Sequence, residues 1–112
     1  MPKEKTPYLA EFEELVILAI LNRGANAYGA SIYEALQEAG RSTAIGALYT
    51  TLSRMEAKGL ITSKIGESTP ERGGRPKKYF KVEARGLRAL KERMQSRRLL
   101  QPNLAWLFGS GQ

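Results

Sequence analysis

The sequence predicts a mainly α-helical chain with a small β-hairpin: a winged helix-turn-helix followed by a C-terminal dimerisation helix. Three observations predict it. Two short amphipathic segments meet at a turn containing Gly40, two β-rich segments flank a long polar Pro/Gly loop, and a basic amphipathic segment runs up to Pro102. A chain of 112 residues holds one hydrophobic core and leaves no room for a second catalytic module. The expected division is a winged helix-turn-helix DNA-binding domain over 1–83, then a dimerisation helix and short tail over 84–112.

The first helix is predicted over about 9–23. It follows Pro7, places Glu11, Glu13 and Glu14 in its first turns where the helix dipole favours anions, and is closed by Gly24. From Leu15 to Leu21 it is apolar on nearly every side. A helix of that kind buries more than one face, and in so small a domain the second face meets another subunit. Leu15 and Leu18 are therefore candidate dimerisation residues.

The second helix is predicted over about 28–39, with Tyr28, Ile32, Ala35, Leu36 and Ala39 at helical spacing and Gly40 as its stop. A turn of about four residues follows. Ser42 or Thr43 then caps a third helix over about 43–58, whose apolar stripe is Ile45, Leu48, Leu52 and Met55. Its opposite face carries Thr43, Ala44, Gly46, Ala47, Tyr49, Thr50, Ser53 and Arg54. Small and hydrogen-bonding residues of this kind suit close approach to base edges in a major groove, although every amphipathic helix has a polar outer face.

Strands are predicted at about 60–65 and 77–82, from their β-branched and aromatic content. The loop from Gly66 to Pro76 is too long and too rich in Pro and Gly for a tight hairpin, and reads as a wing. Within it, Arg72, Arg75, Lys77 and Lys78 surround a glycine pair. Arginine forks match phosphates and suit narrow minor grooves. A last helix, ending near Leu100, aligns Leu87, Leu90, Met94 and Arg97 in one stripe. A narrow stripe without large aromatics fits packing on its own kind better than a membrane surface, so Leu87, Leu90 and Met94 join the candidate dimerisation residues. Trp106, in the apolar tail, is a candidate for lining an effector pocket at the dimer interface.

Charge points the same way as the elements. Lys58 to Arg98 hold 13 Lys and Arg against 4 Asp and Glu, while the remainder holds 5 against 7, for a net +7 overall. A positive field confined to one half of the chain implies a polyanionic partner. Cysteine and histidine are absent, which removes thiolate and imidazole metal ligands, disulfides and the commonest general bases. Arg72-Gly-Gly-Arg75 lacks the Gly-Lys-Ser/Thr ending of a phosphate-binding P-loop. Glu13 and Glu14 are adjacent and so point apart on a helix, giving no paired-carboxylate site. No catalytic residue, metal or cofactor is expected, nor any membrane segment, since the run from Leu15 to Leu21 is too short to span a bilayer. The expected location is cytoplasmic.

Five stretches, Phe12-Glu-Glu-Leu-Val-Ile-Leu-Ala-Ile-Leu21, Ala27-Tyr-Gly29, Ile45-Gly-Ala-Leu-Tyr-Thr-Thr-Leu52, Glu56-Ala-Lys-Gly-Leu60 and Glu71-Arg-Gly-Gly-Arg-Pro-Lys-Lys-Tyr-Phe80, resemble the PadR family of bacterial transcriptional regulators. The short tail is similar to the compact branch with a single C-terminal dimer helix. The resemblance implies a winged-helix homodimer, usually a repressor, that binds an inverted-repeat operator in double-stranded DNA and is often released by a small-molecule effector. By position it implies recognition-helix contacts at Tyr49, Ala44, Gly46 and Thr50, and wing contacts at Arg72, Arg75 and Lys77. It also implies a phosphate grip at Tyr28 and Ser31. Two other readings stay open on the residues alone: a non-specific architectural DNA-binding protein, and a winged-helix module that binds protein partners.

Overall fold

The computed structural model describes residues 8–66 and 76–109. Its elements run α1 (Glu11–Arg23), α2 (Gly29–Glu38), α3 (Ile45–Ala57), β1 (Ile61–Ile65), β2 (Lys78–Val82) and α4 (Ala84–Leu100), with single 3-10 turns at Gly24–Asn26 and Ala105–Phe108. The expected helices and strands are all present, each trimmed by a residue or two at one or both ends.

Helix α1 is the central post. Val16, Ile17, Ala19 and Ile20 are buried, and the helix packs against α2, α3, α4 and β2. Its all-round apolarity is thus used mostly within the chain, and only Leu18 and Leu21 are left exposed. At its start the Glu13 carboxylate accepts the Ala10 amide at 3.0 Å, satisfying a donor that the helix cannot.

Helix α2 ends where Gly40 turns left-handed at φ 76°, letting the Arg41 amide reach the Leu36 carbonyl at 2.8 Å. Because α2 and α3 are shorter than the sequence suggests, the turn between them spans six residues, Ala39 to Ala44, rather than four. Ala44 occupies the cap position of α3 and no side chain caps it, so Ser42 and Thr43 do not fill the role expected of them. The buried stripe of α3 is Leu48, Leu52 and Met55; Ile45 stands 44% exposed in the first turn, outside the stripe assigned to it.

The strands pair antiparallel with Ile61 opposite Val82 and Ile65 opposite Lys78. A further backbone link widens this hairpin: the Phe80 amide donates to the Ala27 carbonyl at 2.8 Å and Tyr28 bridges to Tyr79. The segment entering α2 is thereby tied to the wing. At the hairpin's other end Gly86 lets α4 pass tightly over β1, since a Cβ there would lie 2.3 Å from the Leu60 carbonyl oxygen.

Helix α4 contributes Gly86, Ala89 and Leu90 to the core. Leu90, expected at a dimer interface, is 7% exposed and belongs to this chain's own core. After Arg93 every residue of α4 is exposed. Two ion pairs anchor the helix before it leaves: Glu14 accepts from Arg93 and, at 3.0 Å, from Arg97, and Arg93 also donates to the Leu9 carbonyl at 2.7 Å.

Candidate nucleic-acid interface

Helices α2 and α3 present one face and the hairpin presents its neighbour. On α3, the side opposite Leu48, Leu52 and Met55 exposes Ala44, Gly46, Ala47, Thr50, Ser53 and Arg54, with Tyr49 half exposed and Thr43 half-buried beside them. Gly46 is informative. A Cβ added there would meet nothing within 4 Å, so internal packing does not require the glycine, although glycine inside a helix costs about 0.5–1 kcal/mol relative to alanine. The α3 surface at this position is open, with no neighbouring group of the described residues against it.

Gly29 is the opposite case. A Cβ there would fall 2.2 Å from the Tyr49 hydroxyl. The first residue of α2 is therefore a notch in which the Tyr49 ring lies, and that notch aims the largest side chain on the outer face of α3. The sequence marked Tyr49 as a contact residue, but nothing in it marked Gly29 as its seat, because the pairing joins two elements twenty residues apart.

Between the two halves lies a cleft of about 370 Å³ lined by residues that include Tyr28, Gly29, Tyr49, Glu56 and Lys77. The Lys77 ammonium sits 4.1 Å from the centre of the Tyr28 ring, and Tyr28 meets Tyr79 edge-on at 5.6 Å. Cation–ring attraction and the backbone bridge together fix the base of the wing against α2. Glu56 holds the other side. Its carboxylate accepts the Ser63 hydroxyl at 2.5 Å and pairs with Lys78 at 3.7 Å, joining α3 to both strands. Neither Glu56 nor Tyr79 was singled out from the sequence, since each acts by joining elements rather than by its own chemistry.

Ser31 does not fit the phosphate grip expected of it. It is 7% exposed, and its hydroxyl oxygen accepts the Tyr28 amide at 2.9 Å while lying 2.5 Å from the Asn26 carbonyl oxygen that it donates to. This is an internal cap for α2. Tyr28 remains half exposed, with its ring under Lys77. Arg72 and Arg75 lie outside the described residues. Of the dimerisation candidates other than Leu90, Leu18, Leu87 and Met94 are 39%, 45% and 45% exposed, while Leu15 is half-buried against the core. Trp106 is 73% exposed and is not among the residues lining this cleft, the groove between α1 and α2 or the recess between Leu9 and α4.

At the base of the wing two lysines are held in place by ring or carboxylate partners, Lys77 by Tyr28 and Lys78 by Glu56 and Phe80. Elsewhere two carboxylates are held below the usual range. Burial raises Glu13, but hydrogen bonds from the Lys58 ammonium and the Ala10 amide outweigh it; Glu11 is lowered by its hydrogen bond from Arg41. Glu13 ties α1 to Lys58 at the end of α3, and Glu11 ties it to Arg41 in the turn between α2 and α3. Among the described residues no group of three or more His, Cys, Asp or Glu is placed to hold a metal ion, and no helix is long and apolar enough to cross a membrane.

The model of the PadR-like family of transcriptional regulators matches residues 17–92. Among solved structures, the chain is similar to a PadR-like transcription factor from Bacteroides fragilis, with 31% identity over 80% of this chain and 82% of that one and a TM-score of 0.65. A PadR family transcriptional regulator from Eggerthella lenta shares 26% identity over 86% and 82%, with a TM-score of 0.63. One from Clostridium difficile shares 29% over 86% and 97%, also with a TM-score of 0.63. No match is found among curated proteins.

Proposed function

Because the chain belongs to the PadR-like family of transcriptional regulators, we propose that it is a sequence-specific repressor acting as a homodimer on an inverted-repeat operator. The observation that carries this reading is the outer face of α3, where an unneeded glycine at 46 and small neighbours leave room for base edges beside a seated Tyr49. Ala44, Gly46 and Thr50 enter the major groove, with Thr43 and Arg54 at the two ends of the contact. Lys77, with Arg72 and Arg75 of the loop, grips phosphate or minor groove from the wing. Tyr28 supports Lys77 rather than holding phosphate itself.

A two-fold dimer built on α4 and the exposed Leu18, Leu87 and Met94 sets two recognition helices about 34 Å apart, one turn of DNA. Release by a small molecule then requires no change in α3: a ligand that favours a different dimer spacing lowers operator affinity. The protein works in the cytoplasm, where its operator is.

The test is binding of the purified protein to the DNA upstream of its own gene, read by footprinting with excess random competitor. A protected inverted repeat with half-sites about one helical turn apart is the expected result. Uniform protection would instead identify an architectural coating protein, and no binding at physiological salt an interaction module for protein partners.

A further inference from the structure

Two neighbouring lysines at the base of the wing are held by opposite kinds of partner. Lys77 has its ammonium 4.1 Å from the centre of the Tyr28 ring. A ring fixes a cation without cancelling its charge, so the field of Lys77 stays open to an approaching phosphate. Lys78 lies on the face of β2 that carries Phe80, with its ammonium 5.8 Å from the centre of that ring and 3.7 Å from Glu56 Oε1. A carboxylate so close neutralises most of the lysine's field at a distance.

Glu56 is placed where an anion opposes DNA binding. Tyr49, Ser53 and Glu56 stand at i, i+4 and i+7 on α3 and share the wall of the cleft that continues from the recognition face. Among the described residues, Glu56 is the one carboxylate lining that cleft. Its side chain is 34% exposed, so it is not a buried packing group. Both of its oxygens are engaged by the hairpin: Oε2 accepts the Ser63 hydroxyl of β1 at 2.5 Å while Oε1 faces Lys78 of β2.

We propose that Glu56 is a specificity-determining residue of the DNA-binding face, which withholds Lys78 from contact with arbitrary DNA while bracing the wing against the recognition helix. The inference rests on the DNA-binding function proposed above and deepens it. Non-specific affinity is almost wholly electrostatic, and a mobile lysine follows phosphates in any register. Operator affinity adds contacts at base edges, which need α3 and the wing to keep one relative position. Glu56 acts on both: it removes one cation from the first and ties α3 to both strands for the second. Because the Lys78 side chain is 51% exposed, the pair is a weak one and the effect is a few-fold change, not one of orders of magnitude.

The experiment measures affinity of the full chain for two duplexes of equal length, one from upstream of its own gene and one of random sequence, each from about 50 to 200 mM salt. Glu56→Gln keeps the shape of the side chain and its bond to Ser63. It should bind the random duplex about two- to fivefold more tightly, with the slope of log affinity against log salt steeper by about 1, and should bind the upstream duplex no more tightly than wild type. Adding Lys78→Gln should abolish the gain. Lys78→Gln alone should leave the salt slope for random DNA as in wild type, where loss of an open cation such as Lys77 shortens it by about 1. Ser63→Ala, which leaves the charge pair in place, should not raise random binding.

A wild type that does not prefer the upstream duplex overturns the repressor reading and this inference with it. Where that preference holds, equal gains of Glu56→Gln on both duplexes, or no gain on random DNA with wild-type circular dichroism, overturn the role of Glu56 alone. A gain that persists in full with Lys78→Gln overturns the withheld lysine. Should Glu56→Gln fail to fold, Lys78→Gln decides: a slope shortened by about 1 shows that Lys78 already contacts phosphate and overturns the proposal.

Discussion

In the reading head three large side chains have a seat: Tyr49 lies in the notch left by Gly29, Lys77 over Tyr28, and Glu56 between Ser63 and Lys78. In the second half of α4 and the tail, by contrast, Leu99, Leu100, Trp106 and Phe108 are 87%, 83%, 73% and 71% exposed. The same chain thus contains a surface finished by its own contacts and a surface left unfinished. The difference separates two tasks. On the proposed function, base and phosphate contacts come from side chains already seated by their own chain, whereas the spacing of two reading heads is a property of a pair and falls to residues that one copy leaves exposed.

The comparison is broken most severely by deleting the same side chain on each side of it. Leu52 is 1% exposed beneath the recognition helix and Leu100 83% exposed on the arm. Leu52→Ala is expected to cost about 2–5 kcal/mol of stability, and Leu100→Ala less than about 0.5 kcal/mol, both read by urea unfolding at concentrations where the protein is monomeric. Comparable losses would mean that the arm is folded onto the body, contrary to its exposure.

The joint between the regions gives the next largest effect. Glu14, its side chain 8% exposed, receives Arg93 and Arg97, whose side chains are 21% and 58% exposed. Glu14→Gln removes the charge while keeping the shape, and since the arginines keep access to water, the cost is expected at about 1–3 kcal/mol. More telling is where it falls: hydrogen exchange should rise across α4 and the start of α1 while α3 stays protected. Equal loosening in α3 would show that the reading head depends on this joint.

Much of the first region and little of the second could be read from the residues alone. Periodicity and the glycines at 24, 40 and 59 located every helix within two residues, because local backbone requirements are written locally. Leu90 and Met94 show where that stops. They share one stripe, yet the first is buried and the second 45% exposed, since core packing along α4 ends after Leu90 and a stripe does not record where its burial stops. Buried Glu13 and Glu14 depend on Lys58, Arg93 and Arg97, 45 to 83 residues away, and no local pattern announces such partners. Ser31 reads equally well as an anion ligand or as a cap, and only the position of the Tyr28 amide and the Asn26 carbonyl decides for the cap.

A smaller change sharpens the account of the reading head. Lys77→Ala removes a cation from the base of the wing and the contact over Tyr28. Operator affinity is expected to fall several-fold, about 1 kcal/mol, and the slope of log affinity against log salt to shrink by about 1, similarly for specific and random DNA. A loss confined to the specific sequence would make Lys77 a base reader rather than a phosphate contact.

The smallest effect is set by pH, and it tests whether the body is held by charge as well as by packing. The Glu13 carboxyl, accepting from Lys58 at 2.8 Å and from the Ala10 amide at 3.0 Å, is held below its ordinary value of 4.5 despite the opposing effect of burial. A folded-state value below the unfolded one means that the unfolded chain binds the proton more readily as pH falls. The contribution of Glu13 is therefore whole above about pH 4.5 and is lost as pH drops through the lowered value. Glu11, lowered by the exposed Arg41 pair, acts in the same direction, but salt screens it more strongly. Wild type should lose stability below pH 4.5, and Glu13→Gln should be less stable than wild type at pH 7 and close to it near pH 3. The two curves should converge in high salt less than those for Glu11→Gln, because Glu13 is shielded from the ions that screen Glu11. Curves that stay parallel from pH 7 to 3 would assign Glu13 a packing role and leave its charge without one.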